Sequence, residues 1–174
     1  IQGHPIGVPL GEALAWLGYA GGGLQGVYGV ALMVLVLNAA LLNLLFRKAA
    51  NSSLAFVGAT LFVLTPADTT KAMLIHALFL QPGITFLLLS SLLYLSGRRL
   101  LCYLPLLGSL LSVETTLLPF FAVPLMAEQE AKTVCRRFLC NAAILFFMIG
   151  TVLLIRFWMS EERVATQLGP DPRI

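Results

Sequence analysis

Long apolar runs alternate with short clusters of charged residues along most of the chain. The first run, residues 24–46, contains no charged side chain and as a helix would cross about 30 Å of hydrocarbon. The apolar runs are residues 24–46, 49–65, 71–95, 100–127 and 138–159. This pattern predicts an all-α fold, a polytopic transmembrane helical bundle with about five to six membrane segments.

Composition excludes several other classes of protein. Of the 174 residues, 59% are hydrophobic and 11% are charged, and the mean hydropathy is +0.91. A soluble domain has about 25% charged residues, and a chain this small could not bury so much apolar surface. We therefore expect one transmembrane domain over residues 1–174, with membrane helices in 24–159 and an external tail in 160–174.

The positive charges stand next to the apolar runs. They form three clusters: Arg47-Lys48, Arg98-Arg99 and Lys132 with Arg136-Arg137. This arrangement is typical of loops that orient a membrane protein, and not of a surface that follows nucleic-acid phosphates. We therefore expect no nucleic-acid partner, a cytoplasmic position for loops 47–53, 96–99 and 128–137, and an external position for residues 66–70.

Residues 100–127 can be arranged in two ways. One tilted helix would move the third basic cluster to the outside, whereas two short helices would keep all three clusters on one side. Polar residues and a proline interrupt the middle of the run, at Ser112, Glu114, Thr115, Thr116 and Pro119. We favour a hairpin or re-entrant pair that turns near Ser112–Thr116.

The first 23 residues are too broken by glycine and proline to span a membrane. We expect a short helix at the membrane interface, because Trp16 and Tyr19 are types enriched at headgroup depth. Glycines 21–23 should end this helix. The spacing of Gly18, Gly22 and Gly26 fits a flexible turn better than a dimer interface.

Four residues are candidates for chemistry. Asp68 is either an N-cap or a carboxylate that handles substrate, and Lys71 stands three residues later. His76 is either a hydrogen-bonded interior histidine or part of the same site. Glu114 either faces water at a turn or supplies a second carboxylate. The spacing of the two histidines, His4 and His76, gives no support for a metal site.

Other polar residues have simpler explanations. Asn38 and Asn43 interrupt the first membrane run, and interhelical hydrogen bonds account for them. The three cysteines, Cys102, Cys135 and Cys140, lack CxxC spacing. We expect reduced, inert thiols, with S-acylation as the alternative.

The order of these features resembles the N-terminal half of bacterial polytopic GT-C-type membrane glycosyltransferases. The similar segments include Gly3-His4-Pro5, residues 65–71 (TPADTTK), residues 95–99 (LSGRR) and residues 112–119 (SVETTLLP), and the resemblance covers about residues 3–165. In that family a hallmark acidic residue lies in the first external loop. That loop would precede Ile1, so no residue here matches it.

The resemblance implies an enzyme of the bacterial inner membrane that transfers sugar from a polyprenyl-phosphate carrier to an acceptor at the outer face. It places Asp68, Lys71 and Glu114 in outward-facing turns near the carrier phosphate. The alternatives are a non-catalytic subunit packed into a larger membrane complex, and a transporter or channel subunit. The expected partners are membrane lipid, a polyprenyl-phosphate sugar and other membrane subunits, and the cofactor is left open.

Overall fold

A computed structural model describes residues 7–49, 52–64, 74–112, 117–127 and 131–158. Every regular element in these ranges is an α-helix, which confirms the all-α prediction. The helices are α1 (Gly7–Ala49), α2 (Ser52–Leu64), α3 (Leu74–Leu95), α4 (Tyr103–Ser112), α5 (Leu117–Phe121), α6 (Val123–Ala127) and α7 (Ala131–Trp158).

Three helices are long and apolar enough to cross a membrane. They are the segments Pro9–Lys48 in α1, Leu78–Leu95 in α3 and Val134–Ile155 in α7. Helices α2 and α4 are apolar but shorter. The fold therefore fits a membrane-embedded protein, while the total of five to six membrane segments stays a prediction.

Helix α1 consists of two arms that fold back on each other. Gly22 and Gly23 leave the helical conformation, and Gly23 adopts a left-handed φ of 60°, which glycine adopts without steric cost. A side chain on Gly18 would lie 2.7 Å from the Cα atom of Val27. In an unbroken helix these two residues would be about 13 Å apart. The glycines therefore form the predicted turn, while the interfacial position of the first arm stays a prediction.

The second arm of α1 runs parallel to α3. Ala31 and Leu78 share one buried cluster, and further along both helices Lys48 Nζ donates a hydrogen bond of 3.0 Å to Ser96 Oγ. Parallel helices need a return segment between them, and α2 supplies it, with Gly58 against the ring of Phe46. The first two basic clusters consequently lie at the same end of the bundle, as predicted.

A tight turn reverses the chain between α3 and α4. Gly97 has a φ of 81°, and the amides of Gly97 and Arg98 donate to the carbonyls of Tyr94 and Leu93, both over 3.0 Å. These two bonds form a Schellman motif, which satisfies carbonyls at the helix end. Helix α4 then packs antiparallel to α3.

The chain reverses direction within residues 100–127, so that the end of this range lies near its beginning. The ring of Phe120 lies 6.3 Å from that of Tyr103 and 6.0 Å from that of Tyr94, measured between centroids. A continuous helix would separate Tyr103 and Phe120 by about 25 Å. The chain therefore reverses here, as the hairpin prediction requires, and does not form one tilted helix. The return consists of two short helices, α5 and α6, where one was predicted, and most of the predicted turn at Ser112–Thr116 lies outside the described residues.

The main core lies between this hairpin, the second half of α3 and α7. Its fully buried members include Leu106, Phe120 and Leu145. Helix α7 contributes through Leu145, Met148 and Val152, which lie on one face of the helix. The rest of α7 carries large apolar side chains that the chain itself leaves exposed.

Candidate functional site

Most of the candidate residues lie outside the part of the chain that the structure describes. This is the case for Asp68, Lys71 and Glu114. His76 belongs to the first turn of α3, and its side chain is also outside the described part. The convergence of these four residues around one cavity, which the enzyme hypothesis requires and the subunit hypothesis does not, therefore falls outside the described residues.

The helix ends next to these segments can be located. Ser90 Oγ donates to the Cys102 carbonyl over 2.7 Å near the basic end, and Ser109 Oγ donates to the Gly83 carbonyl over 2.7 Å further away. Helix α4 thus runs toward the beginning of α3. The described residues that flank the two segments, Leu74 and Ser112, consequently lie toward the end of the bundle away from the basic clusters.

A buried hydrogen-bonded group links the second arm of α1 to α3. Asn38 is fully buried, and its Nδ2 donates to the Gln81 carbonyl over 3.0 Å and to Gln81 Oε1 over 2.7 Å. Thr85 Oγ1 donates to Asn38 Oδ1 over 2.7 Å. The interhelical hydrogen bond predicted for Asn38 is confirmed.

This group surrounds the proline of α3. Pro82 has no N–H to donate, so a helix that contains it leaves a backbone acceptor without its usual partner. The freed acceptor is the carbonyl of Leu78, four residues earlier. The helix continues through Pro82, and side chains from neighbouring helices bond two other carbonyls next to the proline, Asn38 that of Gln81 and Ser109 that of Gly83. The group therefore fixes helix packing. Gln81 and Thr85 were missed from the sequence, although Gln81 stands as a polar residue before Pro82 in an apolar run.

Asn43 behaves differently from Asn38. The residue is half-buried, and its side chain makes no hydrogen bond to any residue in the described ranges. Since Asn43 lies on the same helix, the pair offers a matched comparison of an asparagine with partners and one without.

All three basic clusters meet at one end of the bundle. The guanidinium carbon of Arg99 lies 5.9 Å from the centroid of the Tyr94 ring, which is within cation–π range. Arg137 of α7 stands one helical turn before Asn141, whose Oδ1 accepts a hydrogen bond from Tyr103 at the start of α4. The third cluster thus lies with the first two, as the hairpin arrangement predicts.

A second buried polar contact lies close to this end. Tyr103 donates its hydroxyl hydrogen to Asn141 Oδ1 over 2.8 Å, and Asn141 is 2% exposed. Within the described residues Asn141 Nδ2 has no hydrogen-bond acceptor. Sequence reasoning missed this pair, because Asn141 follows a basic cluster and reads as an ordinary helix-end residue.

The three cysteines are free, and they differ in exposure. Cys102 is buried at the turn into α4, and its thiol donates to the Arg99 carbonyl over 2.8 Å. Burial raises the pKa of the Cys102 thiol to about 11. Cys135 and Cys140 are exposed on α7. Cys102 thus fits the predicted inert thiol.

Chemistry that needs several ligating side chains is not assembled in the described ranges. No three His, Cys, Asp or Glu side chains come together there. Comparison of the chain with protein-family models, with curated proteins and with solved structures finds no match. Any functional proposal therefore has to rest on the chain's own residues and on the positions of its helices.

Proposed function

We propose that this chain is the membrane-embedded part of a GT-C-type glycosyltransferase that takes its sugar from a polyprenyl-phosphate carrier at the outer face of a bacterial inner membrane. One observation carries the proposal. The segments that contain Asp68 and Glu114 connect helices whose described ends, Leu74 and Ser112, lie away from the basic clusters. With the basic end in the cytoplasm, both acids belong to the outer half of the protein.

The residue types suit this chemistry. A carboxylate can accept the proton of an acceptor hydroxyl as that hydroxyl attacks the sugar. We assign this role to Asp68 or Glu114, and the other carboxylate positions the acceptor. Lys71 attracts the carrier phosphate as a point charge. His76, further along α3, forms the floor of the site.

The experiment measures sugar transfer by the full chain in proteoliposomes. A panel of radiolabelled polyprenyl-phosphate sugars is offered with soluble acceptors, and wild type is compared with Asp68→Asn and Glu114→Gln. We expect transfer by wild type and a loss of about 100-fold or more in the variant that lacks the base. Glu12→Gln serves as the control, because Glu12 is an exposed acid on the first arm of α1.

Two results would contradict the proposal. Wild type that binds no carrier lipid and transfers none of the sugars would contradict enzymatic function. Variants at both acids that transfer sugar as fast as Glu12→Gln would contradict the assigned site.

A second candidate is a non-catalytic subunit of a larger membrane complex. The observation in its favour is the apolar surface of α7, where Phe147 is 77% exposed and Trp158 is 85% exposed. Such a surface faces either lipid or another protein chain. Purification in mild detergent followed by mass measurement separates the two functions, because a subunit is recovered in a stoichiometric complex and an independent enzyme is recovered alone.

A further inference from the structure

Six basic side chains are gathered at the end of the bundle where α1 and α3 finish and α7 begins. They are Arg47, Lys48, Arg98, Arg99, Arg136 and Arg137, and we call this region the basic end. Among side chains in the described ranges the one acid is Glu12, on the first arm of α1. Glu128 and Glu130 belong to a segment outside those ranges. The described surface of the basic end is therefore strongly positive.

Two of these arginines lie near the same group of packed aromatic rings. Arg99 follows α3 and lies 5.9 Å from the ring centroid of Tyr94. Tyr94 is buried, and its ring and that of Tyr103 both pack edge-on against Phe120. Arg137 stands one helical turn before Asn141 on α7, and Asn141 accepts the hydrogen bond of Tyr103. The hairpin thus brings Arg137 of α7 close to the turn that carries Arg99.

The depth of these groups matches that of lipid headgroups. Tyr94 is the penultimate residue of the candidate span Leu78–Leu95. Tyrosine and arginine near the end of a span lie where hydrocarbon gives way to headgroups. The two guanidiniums are therefore at the level of phospholipid phosphates.

Exposed leucines adjoin the arginines. Leu100 follows Arg99 directly and is 84% exposed, and Leu101 and Leu104 are exposed as well. A soluble phosphate compound would gain nothing from such a surface, whereas acyl chains would cover it.

We propose that Arg99 and Arg137 bind the headgroup phosphate of an anionic phospholipid, whose acyl chains lie against Leu100 and Leu104. Guanidinium groups pair with phosphate oxygens in a bidentate manner. Basic pockets between membrane helices on the cytoplasmic side are sites for anionic headgroups. This site is separate from the proposed glycosyltransferase site, and it does not depend on that function.

The test uses the purified full chain in detergent and measures bound phosphatidylglycerol and phosphatidylcholine by native mass spectrometry. We expect wild type to prefer phosphatidylglycerol by about tenfold or more, and Arg99→Gln/Arg137→Gln to lose that preference. The matched control is Arg98→Gln/Arg136→Gln, which removes the same charge from the neighbouring positions. The control should keep most of the preference.

Equal losses in the two double variants would overturn the proposal, because they would show a general effect of charge. Competition by inorganic phosphate or glycerol 3-phosphate at concentrations similar to that of the lipid would also overturn it in favour of a soluble anion. The conservative variant Arg99→Lys/Arg137→Lys tests whether a loss of binding comes from a damaged fold, because it keeps both positive charges. It should retain a clear preference for phosphatidylglycerol, and complete loss of that preference would count against direct phosphate binding.

Discussion

Lys48 Nζ donates a hydrogen bond to Ser96 Oγ over 3.0 Å, so the last turn of α1 and the end of α3 are side by side. Ser96 in turn donates to the Leu92 carbonyl over 2.6 Å. The contact shows that two basic clusters separated by about 50 residues share one end of the bundle. The chain between the two clusters thus returns to the end of the bundle from which it left, as cytoplasmic placement of both clusters requires.

The first prediction tests this topology. Single cysteines at Ser52 and Thr166 in a chain without Cys102, Cys135 and Cys140 should label differently with an impermeant maleimide on intact cells. We expect labelling at position 166, which follows the final span, and none at position 52, which follows the first basic cluster. Equal labelling at the two positions would contradict the topology.

The second prediction concerns the buried group around Asn38. Asn38→Leu removes the bonds to Gln81 and Thr85, and interhelical hydrogen bonds in membranes contribute about 0.6 kcal/mol on average and up to about 1.7 kcal/mol. We expect the free energy of unfolding in mixed micelles to fall by about 1–2 kcal/mol. Asn43→Leu should change the free energy of unfolding little. Similar effects of the two substitutions would contradict the hydrogen bonds of Asn38 to Gln81 and Thr85.

The third prediction tests the close approach of the two arms of α1. A Cβ at Gly26 would collide with the carbonyl oxygen of Gly18, whereas a Cβ at Gly29 would meet no atom within 4 Å. Gly26→Ala should lower the unfolding free energy by about 1–3 kcal/mol through overpacking. Gly29→Ala should be neutral or stabilising, because alanine favours the helix by about 1 kcal/mol. Equal unfolding free energies for Gly26→Ala and Gly29→Ala would contradict the reversal of α1 at Gly22-Gly23.

The fourth prediction tests the hairpin. Phe120 is fully buried between Tyr94 and Tyr103, and loss of a buried phenylalanine ring costs about 3–5 kcal/mol. Phe120→Ala should therefore lower the unfolding free energy by that amount. Leu118→Ala is the control, since Leu118 is exposed, and it should cost less than about 1 kcal/mol. Comparable losses of unfolding free energy in Phe120→Ala and Leu118→Ala would contradict the packing of Phe120 against Tyr94 and Tyr103.

The fifth prediction concerns thiol reactivity. The thiolate is the reactive form of cysteine, and a pKa of about 11 for Cys102 leaves little thiolate at pH 8. Reactivity should rise only as the pH approaches that value. With N-ethylmaleimide in detergent at pH 8, Cys135 and Cys140 should react and Cys102 should not. Cys102 should become reactive after denaturation, and rapid labelling of all three in the folded protein would contradict its burial.

The sequence alone was sufficient for the fold class and for the turns at Gly22-Gly23 and Gly97. Apolar runs of this length can satisfy their backbone hydrogen bonds within a membrane only as helices. Charge clusters and glycine or proline positions then mark where helices end. The hairpin after Arg99 followed from the requirement that Arg137 lie on the same side as Arg99.

Only the tertiary structure decided which polar residues meet. Asn38 and Asn43 are equivalent in sequence, since both interrupt the same apolar run. They differ because Asn38 lies at the level of Gln81 and bonds it, whereas no hydrogen bond joins the Asn43 side chain to the described residues. The pairing of Tyr103 with Asn141 likewise depends on where the hairpin places α7.

At the candidate site, too, the sequence and the tertiary structure determine different things. The sequence predicts that Asp68 and Glu114 belong to turns, because charged side chains are costly within an apolar run. The tertiary structure adds that the adjoining helix ends, Leu74 and Ser112, lie on the side of the bundle away from the basic end. It also brings the start of α7, which carries Arg137, next to the turn that carries Arg99. Periodicity along one helix carries no information about distances between helices, which depend on how side chains of different helices pack together.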